Sequence, residues 1–278
     1  MVTFSAFADE IGPDLDVQMD TCEAAGVTCI DVRGIDGINV SKMTVAQAGE
    51  YHRRLADRGF TVPCIGSPIG KIRLDEDFAA HLELLKHCTE VARAFDTSRI
   101  RVFSFYPPAG GDFTGRRQQV LEQMGALLDA AEAAGAVLFH ENEKKIYGAR
   151  PDGVRDLFAE LGHDRLKGVF DPANYVEEGV KPYDDGWSKG LAELTDYFHV
   201  KDILTGQTTC VPAGQGHGQF HQIFADLKRR NYQGVMSLEP HLSQAGKFSG
   251  FTGPELFRTA VAALKALCEE TGLAYAAG

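Results

Sequence analysis

The sequence predicts a single (β/α)8 barrel, in which eight parallel strands alternate with helices. Strand-like runs alternate eight times with helically spaced segments, glycines follow several of those segments, and metal-ligating residue types end the last four strands. A chain of 278 residues is usual for one such barrel. No linker, low-complexity stretch or charge block divides it, so we predict one domain over residues 1–278.

The predicted strands are short runs rich in β-branched and aromatic residues. In chain order they are residues 3–8, 28–33, 61–66, 100–104, 137–141, 168–171, 197–201 and 234–239. The segments between them have the apolar spacing of amphipathic helices. These are residues 14–25, 45–56, 78–95, 117–134, 153–161, 221–230 and 254–270, and residues 184–194 have the least regular helical pattern.

Glycines mark where the predicted helices end. Gly26, Gly59, Gly135, Gly162 and Gly272 stand where a left-handed residue is wanted after a helix. The order helix, glycine, strand recurs in EAAGVTCIDV, ADRGFTVPCI and EAAGAVLFHE, and this order predicts parallel strands. An open doubly wound sheet is the competing architecture, but no GxGxxG follows the first strand and there is no P-loop.

The net charge and the distribution of apolar residues bear on whether the protein binds nucleic acid or a membrane. The formal net charge is −11, so a polyanion such as nucleic acid would be repelled overall. No apolar run approaches the length of a membrane span, and MVTFSAFADE lacks a basic signal-like start. We therefore expect a cytoplasmic protein with no nucleic-acid or membrane partner, and a homo-oligomer is left open. None of the six cysteines forms a CxxC pair, so buried reduced thiols are expected.

Four candidate metal ligands stand at the ends of the last four predicted strands. They are Glu141 in HENE, Asp171 in DPAN, His199 in HVKD and Glu239 in SLEP. The carboxyl ends of barrel strands converge on one mouth, so these side chains are expected around a shared centre. Any one alone is more often a cap or rim group, but the set of four favours one divalent ion. Three carboxylates and an imidazole suit Mn2+, Mg2+ or Co2+ better than a structural zinc site, with Zn2+ left open.

Motifs along nearly the whole chain carry a family resemblance. They are FADEIGPDL, CIGSPIGKI, HENEKKIYG, DPANY, HVKD, VPAGQG and SLEPH. With these motifs the sequence resembles the xylose-isomerase-like TIM barrels, known as sugar phosphate isomerases/epimerases. Relatives include ketose 3-epimerases, inosose isomerases and dehydratases, hydroxypyruvate isomerases and endonuclease IV. The resemblance implies the same four ligands, Glu141, Asp171, His199 and Glu239, around one ion, for which we expect Mn2+.

Residues beside the ligands are candidates for contact with a small sugar substrate. They are Asn174, Lys201, His241, Glu143, Lys71 and Tyr106. The related ketose 3-epimerases have a His at the position of Asn174 and an Arg soon after the ligand His, and this chain has neither. The alternative interpretation of Lys71 is a solvated side chain in a tight turn of GSPIGKI, and that of His241 is a solvated loop residue.

Three neighbouring features have less specific interpretations. His140 either packs behind the barrel or lines the site, and strand alternation points it away from Glu141. Asp202 is expected to orient a neighbour or cap a loop. The GQGHG loop of residues 214–218 is expected to be flexible and to cover the site, with His217 facing solvent.

The predicted function is that of a divalent-metal-dependent sugar isomerase or epimerase acting on a small carbohydrate or keto-polyol. The ion would stabilise an enediolate, with Glu141 and Glu239 as the catalytic acid and base. The alternative is a metal-dependent lyase or dehydratase on a keto-sugar or keto-inositol by the same carbanion chemistry. A nuclease resembling endonuclease IV would need additional His ligands and a basic groove. A non-catalytic sugar-binding subunit is the remaining hypothesis.

Overall fold

A computed structural model describes residues 1–242 and 252–276 of the chain. Its strands are β1 (Thr3–Ala6), β2 (Cys29–Ile30), β3 (Gly34–Ile35), β4 (Ile38–Asn39), β5 (Arg99–Val102), β6 (Val137–Glu141), β7 (Leu166–Phe170), β8 (Thr195–Val200), β9 (Asp202–Ile203), β10 (Cys210–Val211) and β11 (Val235–Leu238). Seven of them form a curled parallel sheet in the order β2, β1, β11, β8, β7, β6, β5. The remaining four pair as two small antiparallel hairpins, β3 with β4 and β9 with β10.

The gap between β2 and β5 is filled by the third predicted strand, residues 61–66. Thr61 bridges Cys29 on one side, and Ile65 bridges Ile100 on the other, both in parallel orientation. The segment makes isolated bridges rather than a regular ladder, and Pro63 within it has no backbone N–H to donate. These bridges close the ring, so the predicted (β/α)8 barrel is confirmed.

The helices surround the ring. They are α1 (Leu15–Ala25), α2 (Val45–Asp57), α3 (Phe78–Ala94), α4 (Arg117–Ala133), α5 (Pro151–Leu161), α6 (Pro172–Glu177), α7 (Phe220–Arg229) and α8 (Gly253–Thr271). Seven of the eight match predicted segments within two residues, whereas α6 was not predicted. The predicted segment at residues 184–194 is corrected to short turns at Pro182–Gly186, Trp187–Lys189 and Leu191–Glu193.

Local sequence explains where the helices begin and end. The Asp14 side chain caps α1 by accepting a bond from the backbone N–H of Val17, and Thr44 forms a capping box with Gln47 on α2. All five glycines predicted to end helices have a positive φ, for example +73° at Gly26. Within the described residues, no helix is both long and apolar enough to cross a membrane.

Strand alternation divides the core into two parts. On β8, Phe198 points outward and packs against Trp187 and Phe224, with ring centroids 6.2 and 5.9 Å apart. Tyr197 and His199, one residue to either side, face the lumen of the barrel. An apolar layer made by Cys64, Phe139, Val169 and Tyr197 fills the middle of that lumen. Because Glu141, Asp171 and His199 each follow a member of this layer by two residues, they lie on the same side, one level nearer the C-terminal mouth.

Candidate metal centre

The four predicted ligands converge at the C-terminal mouth. Glu141, Asp171, His199 and Glu239 each offer one ligand atom, and these four atoms all lie within 4.8 Å of one another. All four side chains are buried. His199 Nδ1 lies between the two glutamates, 3.2 Å from Glu141 Oε1 and 3.5 Å from Glu239 Oε2.

The hydrogen bonding of this cluster fits a divalent cation. Each residue keeps one buried atom that makes no hydrogen bond of good geometry among the described residues: Glu141 Oε2, Asp171 Oδ2, His199 Nδ1 and Glu239 Oε2. An ionisable side chain nevertheless lies within 3.5 Å of each of these atoms. Burying such atoms is costly unless a charge or a donor reaches them. Three carboxylate oxygens and one imidazole nitrogen are a donor set for Mn2+, Mg2+, Co2+ or Zn2+.

Hydrogen bonds between the Asn142 side chain and the Asp171 backbone, just past the ends of β6 and β7, fix the spacing of Glu141 and Asp171. Asn142 accepts a bond from the N–H of Asp171 at 2.8 Å and donates one to its carbonyl oxygen at 2.9 Å. Asp171 is also the N-cap of α6, where Oδ1 accepts a bond from the N–H of Asn174 at 3.0 Å. The cap uses one carboxylate oxygen and leaves Oδ2 directed at the cluster. Asn142 was not identified from the sequence, because its partner lies on another strand.

Lys201 contacts the ligand cluster directly. Its Nζ lies 2.9 Å from Asp171 Oδ2 and 3.8 Å from Glu239 Oε2, and the side chain is buried. Burial alone would lower the pKa of Lys201, but the negative charges of Asp171 and Glu239 hold it well above the usual value. Lys201 therefore adds a positive charge beside the predicted ligands.

Two arginines contact the two glutamates. Arg33 donates to Glu239 Oε1 at 2.8 Å, and Arg101 Nη1 lies 3.3 Å from Glu141 Oε2. The guanidinium of Arg101 sits over the rings of Phe7 and Phe103, at 4.9 and 5.0 Å from their centroids. Aromatic faces favour a desolvated guanidinium, so this burial is less costly than it would be among aliphatic side chains. Arg101 was missed from the sequence, although an arginine inside the strand RIRV was a usable signal.

His241 lies against Glu239 at the edge of the cluster. Its Nε2 is 3.1 Å from Glu239 Oε1 and 3.2 Å from Glu10 Oε1, while its backbone N–H donates to Glu10 Oε2 at 2.8 Å. Glu10, Glu239 and His241 form a second group of potential ligand atoms. Arg33 also reaches Glu10 Oε1 at 3.5 Å, so its guanidinium supplies positive charge to this group.

Comparison with known proteins agrees with the fold and the motifs. A family model described as the xylose isomerase-like TIM barrel matches residues 19–267. The chain belongs to this family. No curated protein matches it in sequence.

Solved structures with the same fold cover nearly the whole chain. A D-tagatose 3-epimerase-like protein has a TM-score of 0.76 at 13% identity, covering 98% of both chains. A probable 3-DHS dehydratase from Bacillus anthracis, involved in petrobactin synthesis, has a TM-score of 0.71 at 15% identity, covering 95% of this chain and 99% of its own. A family protein from Mycobacterium smegmatis in complex with magnesium has a TM-score of 0.66 at 16% identity, covering 96% of this chain and 97% of its own. At these identities the comparison establishes the fold.

The remaining substrate candidates form a group at the rim of this family barrel. Lys71 Nζ lies 2.9 Å from Glu143 Oε2 and 4.3 Å from the centroid of the Phe103 ring. Burial would raise the pKa of Glu143, but the positive charges of Lys201 and Lys71 bring it below the usual value. Burial and the charge of Glu143 raise the pKa of Tyr106. The structure thus pairs Lys71 with Glu143 rather than leaving it solvated.

His140 faces away from the cluster. Its Nε2 lies 3.0 Å from Ser104 Oγ, and Gly148 packs against its ring. Burial lowers the pKa of His140 to about 4, so the ring is neutral near pH 7. Of the two interpretations from the sequence, packing behind the barrel is the one that the structure supports.

Asp202 holds the glycine-rich loop in place. Its Oδ2 accepts bonds from the N–H groups of Gly214 and Gly216, and its Oδ1 from those of Gly218 and Ile203, each at 2.9 Å. A Cβ at Gly218 would lie 2.8 Å from Asp202 Oδ1, so a side chain there would disturb the same contact. Three of these bonds tie the loop, which the sequence predicted to be flexible, to the residue that follows Lys201. His217 is exposed, as expected, and its Nδ1 accepts a bond from the N–H of Thr205 at 3.0 Å.

Proposed function

We propose that the protein is a divalent-metal-dependent isomerase or epimerase acting on a small carbohydrate or keto-polyol. One observation carries the proposal: three buried carboxylates and one buried imidazole offer ligand atoms that all lie within 4.8 Å of one another, at the mouth where barrel active sites lie. Glu141, Asp171, His199 and Glu239 would hold the ion. The fold shared with an epimerase-like protein and a magnesium-bound family member supports the same reading.

Glu141 and Glu239 are the proposed acid and base. When bound, a divalent ion supplies a Lewis acid that polarises a substrate carbonyl and the neighbouring hydroxyl. Burial would raise the pKa of Glu141, but the charges of His199 and Arg101 lower it to about 2. Burial is likewise outweighed at Glu239, chiefly by Lys201 and His241, and its pKa lies well below the usual value. Both carboxylates are therefore ionised near pH 7 and available to accept a proton from carbon.

The carbon atom to which the proton is returned decides the product. One glutamate takes the proton from the carbon next to the carbonyl, leaving an enediolate. The other glutamate takes up a proton from solvent and delivers it to the opposite face of that carbon, and the first glutamate then releases its proton to solvent. That sequence epimerises the centre. Return of the proton to the neighbouring carbon, with transfer of the hydroxyl proton, interconverts aldose and ketose.

Asn174 and Lys201 are proposed to orient the substrate. The Asn174 amide donates to Glu141 Oε1 at 3.2 Å and to the Asn142 carbonyl at 2.9 Å, while its Oδ1 has no partner among the described residues. That buried oxygen is free to accept a bond from a substrate hydroxyl. Lys201 can donate to a substrate oxygen from its position beside Asp171.

A lyase or dehydratase on a keto-sugar or keto-inositol is the second candidate. Asn174 favours it, because the residue is tied to Glu141 and stands where the related ketose 3-epimerases have a His. The structural relative described as a probable 3-DHS dehydratase supports the same alternative. Glu141 or Glu239 would again remove the proton, and a leaving group on the next carbon would then depart.

A panel of keto sugars and keto-polyols, incubated with Mn2+-loaded protein and followed by mass spectrometry and NMR, separates the candidates. Isomerisation and epimerisation keep the mass of the substrate, whereas elimination lowers it. Tight binding without turnover across the panel would instead indicate a sugar-binding subunit.

Glu141→Gln and Glu239→Gln test the proton transfers. Each variant keeps an oxygen donor but loses the base, so turnover should fall by roughly 10²–10⁴-fold. Metal content should fall much less, because three other ligands remain. Solvent deuterium should still enter the substrate in one variant if that variant retains the abstracting glutamate. Glu90→Gln, at an exposed position on α3, is the matched control and should leave turnover unchanged. Near-normal turnover in both Glu141→Gln and Glu239→Gln would move the base to Glu143, His140 or Lys201.

A further inference from the structure

The barrel lumen has a second opening, at the N-terminal ends of the strands. The apolar layer of Cys64, Phe139, Val169 and Tyr197 separates it from the ligand cluster. Below that layer lies a cavity of about 470 Å³. Pockets that bind small molecules typically measure about 300–1,000 Å³, so this volume suffices for a compact ligand.

Two basic side chains line the cavity. Arg99 begins β5, and Lys167 is the second residue of β7. Strand register places Arg99 beside Val137 and Lys167 beside Phe139, all on the lumen side. The Arg99 guanidinium lies 5.7 Å from the centroid of the Phe139 ring. The cavity thus combines two cations with an apolar floor.

These cations differ from those at the opposite mouth. Arg33, Arg101 and Lys201 each contact a carboxylate there. Within residues 1–242 and 252–276, the side chains of Arg99 and Lys167 form neither a hydrogen bond nor an ion pair.

A single carboxylate, that of Asp196, also lines this cavity. Burial raises the pKa of Asp196, while the charges of Lys167 and Arg99 oppose the rise, which indicates that the three groups lie near one another. The described lining therefore carries two positive charges and at most one negative charge, in a chain whose formal net charge is −11.

We propose that this cavity binds a small organic anion, with its carboxylate or phosphate oxygens between Arg99 and Lys167. An apolar part of the ligand would rest on Phe139 and Val235, and Gln233 at the edge offers an amide for a hydroxyl group. Arginine pairs well with both kinds of anion, because its planar fork donates two parallel hydrogen bonds. The site is independent of the proposed catalytic function, since the apolar layer separates the two.

Thermal shift and calorimetry with phenyl phosphate and with benzoate test the site and distinguish the two anions. Sodium chloride at matched ionic strength serves as the reference, because screening alone changes stability. The expected result is a dose-dependent rise in Tm above that reference with at least one of the two ligands. No rise beyond the chloride reference with either ligand would overturn the proposal.

Arg99→Gln and Lys167→Gln locate the binding. A lost hydrogen bond to a charged group corresponds to roughly 10–100-fold weaker binding, so the Kd should rise by at least about tenfold in each variant. Lys42→Gln removes one exposed positive charge outside the cavity and should bind like wild type. Equal affinity in all three variants would place the anion elsewhere, including at the C-terminal mouth, and would refute the proposal. Tm without ligand reports whether each variant is folded.

Discussion

Replacing Asp202 should release the glycine-rich loop and lower the stability of the whole barrel. Its carboxylate accepts four backbone N–H bonds, two on each oxygen, at 2.9 Å. Gly218 is buried, so its N–H would lose a partner that water does not easily replace, whereas half-buried Gly214 and Gly216 would be partly rehydrated. A net value of about 1 kcal/mol per bond gives a loss of about 4 kcal/mol for Asp202→Ala.

That loss converts to a measurable change in Tm. Unfolding entropy near 2.1 cal/mol/K per residue gives about 0.6 kcal/mol/K for a chain of 278 residues. The Tm of Asp202→Ala should therefore fall by about 7 °C. Asp202→Asn keeps one acceptor oxygen but turns an NH2 group toward backbone donors, so its Tm should fall by at least half as much as that of Asp202→Ala.

Differential scanning calorimetry of metal-free protein measures the series, which keeps metal binding out of the comparison. Asp164→Ala is the matched control, because this carboxylate is exposed and forms no ion pair within the described residues. It should change the Tm by less than about 1 °C. A Tm for Asp202→Ala within 1 °C of the control would refute the view that these bonds hold the loop.

Three further predictions address the centre and the pH response. Elemental analysis after mild loading should find about one divalent ion per chain, and absence of both bound metal and stabilisation by Mn2+, Co2+, Mg2+ or Zn2+ would contradict the site. Asn174→Ala should raise KM or lower kcat while metal content stays near wild type. Lys201→Met should also change metal affinity, because the Lys201 ammonium lies 2.9 Å from Asp171 Oδ2. Steady-state kinetics measures the first effect and equilibrium dialysis the second. Burial lowers the pKa of His81, whose Nε2 accepts a bond from the N–H of Gly70 at 2.7 Å. Below about pH 6.5 the His81 side chain binds a proton in the unfolded chain but resists it in the folded chain, so the free energy of unfolding should decrease as the pH is lowered. Urea unfolding should show a decrease of up to about 1.4 kcal/mol per pH unit, and a smaller decrease in His81→Gln.

The sequence predicted that the four candidate ligands would converge, because each stands at the end of its own strand. Parallel strands in a closed ring bring their carboxyl ends together, so the barrel topology alone was enough to predict this convergence. The unpredicted α6 follows from Asp171 acting as N-cap with Pro172 at the first helical position, a pattern that reads equally well as a turn.

Contacts between distant residues could not be read from the sequence. Arg101 reaches Glu141 on the neighbouring strand, and Asn142 bonds the backbone of Asp171, which follows the next strand. No local spacing encodes either contact. The bonds from the loop to Asp202 could not be predicted either. A glycine-rich composition predicts a mobile loop unless an acceptor for its N–H groups is known to lie nearby, and the sequence does not show that Asp202 does.

The aromatic enclosure of Arg101 has a consequence for how the mouth responds to dissolved salt. Dissolved ions screen charges beyond about 8 Å at physiological ionic strength, but they screen buried pairs much less than solvent-exposed ones. Arg101 and Glu141 are almost completely buried, so counterions do not reach between them. Lys71, with 33% of its side chain exposed, pairs with Glu143 within reach of those ions. Rising ionic strength should thus loosen the outer edge of the mouth while the electrostatics of its interior stay constant.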